Sequence, residues 1–162
     1  MVKCIASSKP DGEVVKMAKK PAKRAERIEV VYGEKRWKLL NELRDQTGKI
    51  MQMLENAHLL SIVHGSIARG DVSTNSDIDV FIPDPPSSFI IETTLENAGF
   101  SVNKRLVVQA TPSYAVKGYI ELEPRLAVSF SLMKLRLTER EFYRFGGEAT
   151  LQTLQGNVRA AG

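Results

Sequence analysis

Val63-His64-Gly65-Ser66-Ile67-Ala68-Arg69-Gly70-Asp71, followed by Ser76-Asp77-Ile78-Asp79-Val80, is the stretch on which both fold and chemistry turn. Asp77 and Asp79 lie in a run with Ile78, Val80, Phe81 and Ile82, which reads as a buried strand. Alternate residues of a strand share a face, so the two carboxylates emerge side by side while Ile78 and Val80 enter the core. Two neighbouring anions at a buried edge call for a cation. Magnesium, a hard ion that prefers carboxylate oxygen, meets that demand.

Upstream, Ser61-Ile62-Val63 reads as the end of a strand, with Leu59 and Leu60 before it. Gly65-Ser66 then turns the chain into a short helical stretch of Ile67, Ala68 and Arg69. A glycine there lets a ligand approach the backbone, and Ser66 sets a hydroxyl beside exposed N–H donors, a combination suited to phosphate oxygens. Arg69 either adds a fork of donors or clamps Asp71. A phosphate cradle shortly before a metal-binding carboxylate pair is the arrangement of phosphoryl-transfer machinery. The plainer alternative is a strand-loop-strand in which Asp77 caps a turn and Asp79 pairs with Arg69.

The pattern G-S-x-A-R-G, then S-D-I-D-V, resembles the signature of the DNA polymerase beta-like nucleotidyltransferase superfamily, and in particular its small stand-alone members, the minimal nucleotidyltransferases. The resemblance implies an enzyme that uses two Mg2+ ions to move a nucleoside monophosphate from NTP onto an acceptor hydroxyl. By position, Gly65 and Ser66 would hold the NTP phosphates, with Arg69 beside them, and Asp77 and Asp79 would bind the metals. Some minimal members act as antitoxins that modify a companion protein, so an antitoxin-like regulatory partner is one alternative. A catalytically degenerate nucleotide- or RNA-binding module is another, because fold does not fix function.

The same resemblance implies a third carboxylate on a neighbouring strand, expected on the first strand after the intervening helix. That run, from Phe100 to Val108, contains no acid. The next, Tyr119-Ile120-Glu121-Leu122-Glu123, contains two on one face. Glu121 is the candidate for catalysis and metal binding, since Glu123 abuts Pro124 and belongs with the following turn. Glu121 also reads as an ordinary solvent-facing acid on a half-exposed strand. If the equivalent position is instead Ser129 or Ser131, the site is one carboxylate short.

The 162 residues suit one globular domain with an extension, and a 43% hydrophobic composition provides for a core. Cys4 is the single cysteine, which excludes an intramolecular disulfide, and two histidines make a Cys/His zinc site a poor reading. No signal peptide or membrane-length apolar run is evident, so a cytoplasmic setting is the default expectation. The net charge of +4 is uneven: residues 1–60 hold 13 Lys/Arg against 8 Asp/Glu, and residues 61–162 hold 10 against 11. Lys16, Lys19, Lys20, Lys23, Arg24 and Arg27 suit a nucleic-acid backbone or simply a solvated arm, and no aromatic residue interleaves them to stack on bases. The acceptor is not specified: RNA, protein and small molecules all remain open, as does the base of the NTP.

Residues 1–27 read as a basic, flexible extension, and 28–162 as a single nucleotidyltransferase-like domain with its core at about 59–135. Ile28 to Tyr32 reads as a short strand. Helical spacing of Trp37, Leu40, Leu43, Ile50, Met51 and Leu54 predicts core-packing helix over 34–57, with a break at Gly48 and His58 as its cap. His64 reads as a structural histidine or a phosphate contact. Pro83-Asp84-Pro85-Pro86 ends the Asp strand, and Ser87 caps a helix that Gly99 stops. Strands follow at about 100–109, 115–122 and 126–133, the last two as a hairpin. Thr138 and Glu141 form a capping box for a helix carrying Phe142 to Phe145, while residues 155–162 are unpatterned. The fold class is α/β, a small mixed β-sheet packed with helices in the manner of the polymerase beta-like nucleotidyltransferases.

Overall fold

In the computed structural model, which describes residues 33–156, the helical periodicity of the first segment becomes one continuous helix, α1, Glu34–Asn56. Leu40, Ile50, Met51 and Leu54 bury almost completely along one stripe. Each such side chain contributes about 1.5–3 kcal/mol. An interior glycine costs only about 1 kcal/mol, so Gly48 does not break the helix. Trp37 departs from the expected stripe: it is 39% exposed, and the buried Arg44 and Thr47 take places on the inner face instead. His58 follows the Ala57 cap in a left-handed conformation (φ 60°), its N–H bonded to the Glu55 carbonyl. The expected strand at Ile28–Tyr32 and the basic extension lie outside the described residues.

Among the described residues six strands form one sheet: β1 (Ile62–His64), β2 (Ile78–Ile82), β3 (Lys104–Val108), β4 (Lys117–Glu123), β5 (Leu126–Ser131) and β6 (Glu148–Ala149). Their order is β3-β4-β5-β2-β1-β6, with β2 and β5 parallel and the other pairs antiparallel. The expected β4–β5 hairpin is present, with Arg125 at φ 71° in its turn. The neighbour of β2 is therefore β5. β3, the first strand after the helix that follows β2, lies at the sheet edge, two strands further out.

Alternation divides the sheet into two faces. Val63, Ile78, Val80, Ile82, Ile120, Leu122, Leu126, Val128 and Phe130 join one hydrophobic cluster with α1, α2 (Ser66–Arg69), α3 (Ser88–Asn97) and α5 (Leu151–Gln155). The opposite face carries His64, Asp79, Phe81, Lys117, Tyr119, Glu121, Ala127 and Ser129, the odd or even partners of those core residues. Among the described residues α4 (Leu137–Phe145) covers part of it, its Tyr143 stacking on Phe81 with ring centroids 4.6 Å apart.

The helix ends agree with the sequence in α3, where the Ser87 hydroxyl accepts the Ile90 N–H. They differ in α4, which starts at Leu137, before the expected Thr138 cap. The carboxylate of Glu139 explains the shift, because it accepts the N–H of both Arg136 and Ala115 and so fixes the first turn. Burial raises the Glu139 pKa, but those two hydrogen bonds, with Arg136 and Lys117 nearby, outweigh it and hold the carboxyl below its ordinary value. The short β6 and the helix α5, which were not anticipated, complete the described chain.

Candidate active site

At the end of β1 the chain turns through Gly65 at φ 75°, ψ −145°, a region open essentially to glycine alone. Among the described residues nothing lies within 4 Å of where a side-chain carbon would stand, so the turn is glycine-dependent for its backbone conformation and open on that side among those residues. α2 is a single turn, and what it offers is its unpaired N–H groups more than a macrodipole. From beneath, the buried Arg44 donates to the carbonyls of Ile67 and Ala68 at 3.1 and 3.0 Å, fastening α2 to α1. Ser66 Oγ donates to Ser76 Oγ (3.2 Å), and Ser76 Oγ accepts the Ser73 N–H (2.9 Å). The Gly-Ser turn and the residue before Asp77 are thereby joined.

Arg69 resolves in favour of the clamp. Its Nε and Nη2 donate to Asp71 Oδ2 at 3.3 and 3.2 Å, and its Nη1 donates to the Gly146 carbonyl at 2.7 Å. Those bonds tie α2 to the end of α4. The pairing of Asp79 with Arg69 that the plainer strand-loop-strand alternative required is not formed.

Asp77 stands just before β2, with its side chain 69% exposed and 4.0 Å from Arg125 Nε. Asp79 is one pleat further on and less exposed. Its Oδ1 accepts the Ser129 hydroxyl at 2.6 Å, and its Oδ2 lies 3.7 Å from His64 Nε2. Burial raises the Asp79 pKa, opposed by the Ser129 hydrogen bond and by the nearby His64 and Lys117. Burial also lowers the pKa of His64, against the pull of Asp79 and reinforced by Lys117 and Arg69. Desolvation thus disfavours the charged imidazole beside Asp79. An edge contact with Phe81 and a tilted one with Tyr143 flank the ring.

Glu121 shares the face but not the immediate site. Asp79 pairs with Ala127 on β5, and Ala127 with Glu121 on β4, which sets Glu121 two strand spacings, roughly 10 Å, from Asp79 along the backbone. The side chain that reaches Asp79 from the neighbouring strand is Ser129. Among the described residues no group of three or more Asp, Glu, His or Cys side chains is placed to hold a metal ion. The paired carboxylates Asp77 and Asp79 offer the hard oxygens that a divalent cation takes, so the donors fit one such ion.

Sequence reasoning missed Arg44 and Lys117, and it quoted Ser76 within the motif without giving it a role. Lys117 Nζ hydrogen-bonds Tyr143 Oη and lies 4.8 and 5.4 Å from the ring centroids of Tyr143 and Phe81. The strict alternation along β4 places it on the Asp79 side and was the available signal. Among the described residues no helix is long and apolar enough to cross a membrane.

No curated protein matches the chain. Among solved structures, similarity extends to a cytoplasmic RNA terminal U-transferase, at 18% identity and a TM-score of 0.43 over 67% of this chain and 32% of that one. It extends also to the GLD-2/RNP-8 complex, at 18% identity and a TM-score of 0.36 over 60% of this chain and 46% of that one. The chain thus spans less than half the length of either. The sequence pattern of the nucleotidyltransferase domain matches residues 41–137, from α1 to the start of α4 and including the Gly65–Ser66 turn and both aspartates. The chain belongs to the nucleotidyltransferase domain family.

Proposed function

We propose that this protein is a magnesium-dependent nucleotidyltransferase, transferring a nucleoside monophosphate from NTP to an acceptor hydroxyl. The observation that carries the reading is the open Gly65–Ser66 turn bonded through Ser76 to the start of the Asp77–Asp79 strand. In the reaction, the acceptor oxygen forms a bond to the α-phosphorus and the bond from that phosphorus to the α–β bridging oxygen breaks. Pyrophosphate departs with that oxygen, and the hydroxyl proton passes to a base or to solvent. Mg2+ held by Asp77 and Asp79 would supply charge stabilisation on the phosphate oxygens. The backbone N–H groups at Gly65–Ser66 and the Ser66 hydroxyl bind the phosphates that leave. Arg69 and Arg44 hold the turn in register by fastening α2 on two sides.

A second reading, a nucleotide-binding module without turnover, is favoured by one observation: Ser129 rather than an acid meets Asp79. Glu121 is the acid of the same face available to complete a two-ion site, and Glu121→Gln measures its share. Calorimetry with each of the four NTPs, with and without Mg2+, tests the principal reading. Binding that requires both Mg2+ and Asp77 is the expected result, together with incorporation of label from α-labelled NTP. Retained transfer by the Asp77→Ala/Asp79→Ala double variant refutes the mechanism; tight binding with no transfer to any acceptor selects the module.

A further inference from the structure

β3 is an edge of the sheet: among the described residues β4 is its one strand neighbour. Alternate residues of such a strand point their N–H and C=O groups away from the sheet, where they can template a further strand. Proteins blunt edges of this kind with proline, a bulge or unpaired charge. β3 reads Lys104-Arg105-Leu106-Val107-Val108, carries no proline, and pairs with β4 without a shift of register. Its two charges stand at one end and are answered within the same chain. Arg105 Nη2 lies 2.8 Å from Glu92 and 3.9 Å from Glu96 of α3, and Lys104 stands across from Glu121 of β4.

The other three residues are aliphatic and exposed: Leu106 by 40%, Val107 by 71% and Val108 by 44%. Val107 is the barest because its neighbour on β4 is Gly118, which has no side chain to lie beside it. A single aliphatic residue in water needs no explanation, but three in succession along an open edge do. On α3, one turn before Glu92, the exposed ring of Phe89 adds to the apolar surface of this part of the chain.

A strand that covers this edge has to bring aliphatic residues to 106–108 without setting a cation beside 104–105. The same strand, running the opposite way, does both. With a two-fold axis through Val107, that residue faces its own copy, and Leu106 faces Val108 of the second copy. Arg105 then faces Gln109, and Lys104 faces Ala110. A parallel arrangement would instead bring the basic ends together, where like charges repel.

We propose that β3 is an isologous dimer interface, on which a second copy of this chain adds its own β3 antiparallel and joins two sheets into one. The inference is independent of the nucleotidyl-transfer reading. Lys104, Leu106 and Val108 pair with Glu121, Tyr119 and Lys117, so they share the face of Asp79. An axis perpendicular to the sheet leaves both Asp79 faces on the same side. The two β2 strands are then seven strand spacings apart, roughly 33 Å.

The test is analytical ultracentrifugation of the full chain over roughly 1–200 µM, since pairing along one short strand gives a small interface and a weak dimer. The mean mass rises with concentration toward that of two chains. Val107→Lys places an ammonium against its own copy at the axis and weakens the dimer by roughly tenfold or more, with the melting temperature unchanged because the residue is exposed. A second measurement fixes the register. In a Cys4→Ser background with oxidised glutathione as electron acceptor, Val107→Cys forms an intermolecular disulfide, because residues directly opposite stand about 4.5–5.5 Å apart at Cα. Gln109→Cys does not, since its own copy lies about four residues along the strand, ~13 Å away. A chain that stays monomeric across the series overturns the proposal, and is the result expected if residues 1–32 or a different protein cover the edge. A dimer indifferent to Val107→Lys, or equal cross-linking at positions 107 and 109, overturns it as well.

Discussion

Gly118 is the residue of β4 whose replacement has the most readily calculated consequence. It pairs across the sheet with Phe130 of β5, on the core side, and the phenyl ring lies over the missing side chain. A methyl group added at Gly118 would stand 2.5 Å from Phe130 Cζ and 2.6 Å from Cε2. Carbon atoms pack at about 3.5–4.0 Å, so the ring has to retreat by roughly 1 Å, a shift that a close-packed interior resists. Overpacking of this kind costs about 1–3 kcal/mol. Replacing a strand glycine returns about 0.5–1 kcal/mol through the unfolded chain. Gly118→Ala should therefore be destabilised by about 1–2 kcal/mol, lowering the melting temperature by roughly 2–8 °C for a chain of this size. Urea unfolding, with an unchanged m-value, checks the sign and size. The decisive control is Gly118→Ala combined with Phe130→Leu, in which the obstructing ring is gone. The double variant should be more stable than the sum of the two singles by about 1 kcal/mol or more. A Gly118→Ala variant as stable as the native chain, or strictly additive effects, refutes the steric reasoning.

Two further expectations follow from the site's surroundings. With its phenol raised to about 12, Tyr143 binds its proton more tightly in the folded chain. Between pH about 10 and about 12 the unfolded chain loses that proton while the native one keeps it, so stability falls with rising pH across this window; spectrophotometric titration should show late tyrosinate absorbance, to which Tyr119, also raised by burial, contributes, and which Tyr143→Phe diminishes. Arg69→Gln should loosen the Asp71 and Gly146 attachments yet change Mg·NTP affinity about fivefold or less, the equivalent of ~1 kcal/mol, because a clamp acts on the nucleotide only through the turn. A loss beyond a hundredfold by calorimetry would instead make Arg69 a direct phosphate ligand.

The turn and the Asp strand were legible in the sequence because both are local. A glycine at φ 75° and a period-two run of aspartate and aliphatic residues leave their marks within twenty consecutive positions. The hairpin of β4 and β5 and the capped helix α3 were legible for the same reason. What the sequence did not reveal depends on contacts between distant segments. Gly48 is a poor helix residue by propensity, yet the helix persists because Leu40, Ile50, Met51 and Leu54 all need the core at once. Strand adjacency is a property of the whole sheet, so nothing near β2 announced that β5 rather than β3 would lie beside it. That adjacency brought Ser129 to Asp79 and left Glu121 two strands away. Arg44 reads as a helix-surface cation until α2 is laid across α1, where its guanidinium meets two carbonyls.

The parallel pairing of β2 with β5 also sets the order in which the site comes into being. The Gly-Ser turn and the aspartates can form from one short span of chain, whereas the Ser129–Asp79 bond joins residues fifty positions apart. Closing so long a loop is entropically costly, and parallel pairings form slowly. During synthesis, the chain has made both aspartates well before it has made the strand that partners them. The Ser129–Asp79 bond is thus a late event of folding, and its formation in a refolding experiment reports that the sheet has closed around β2.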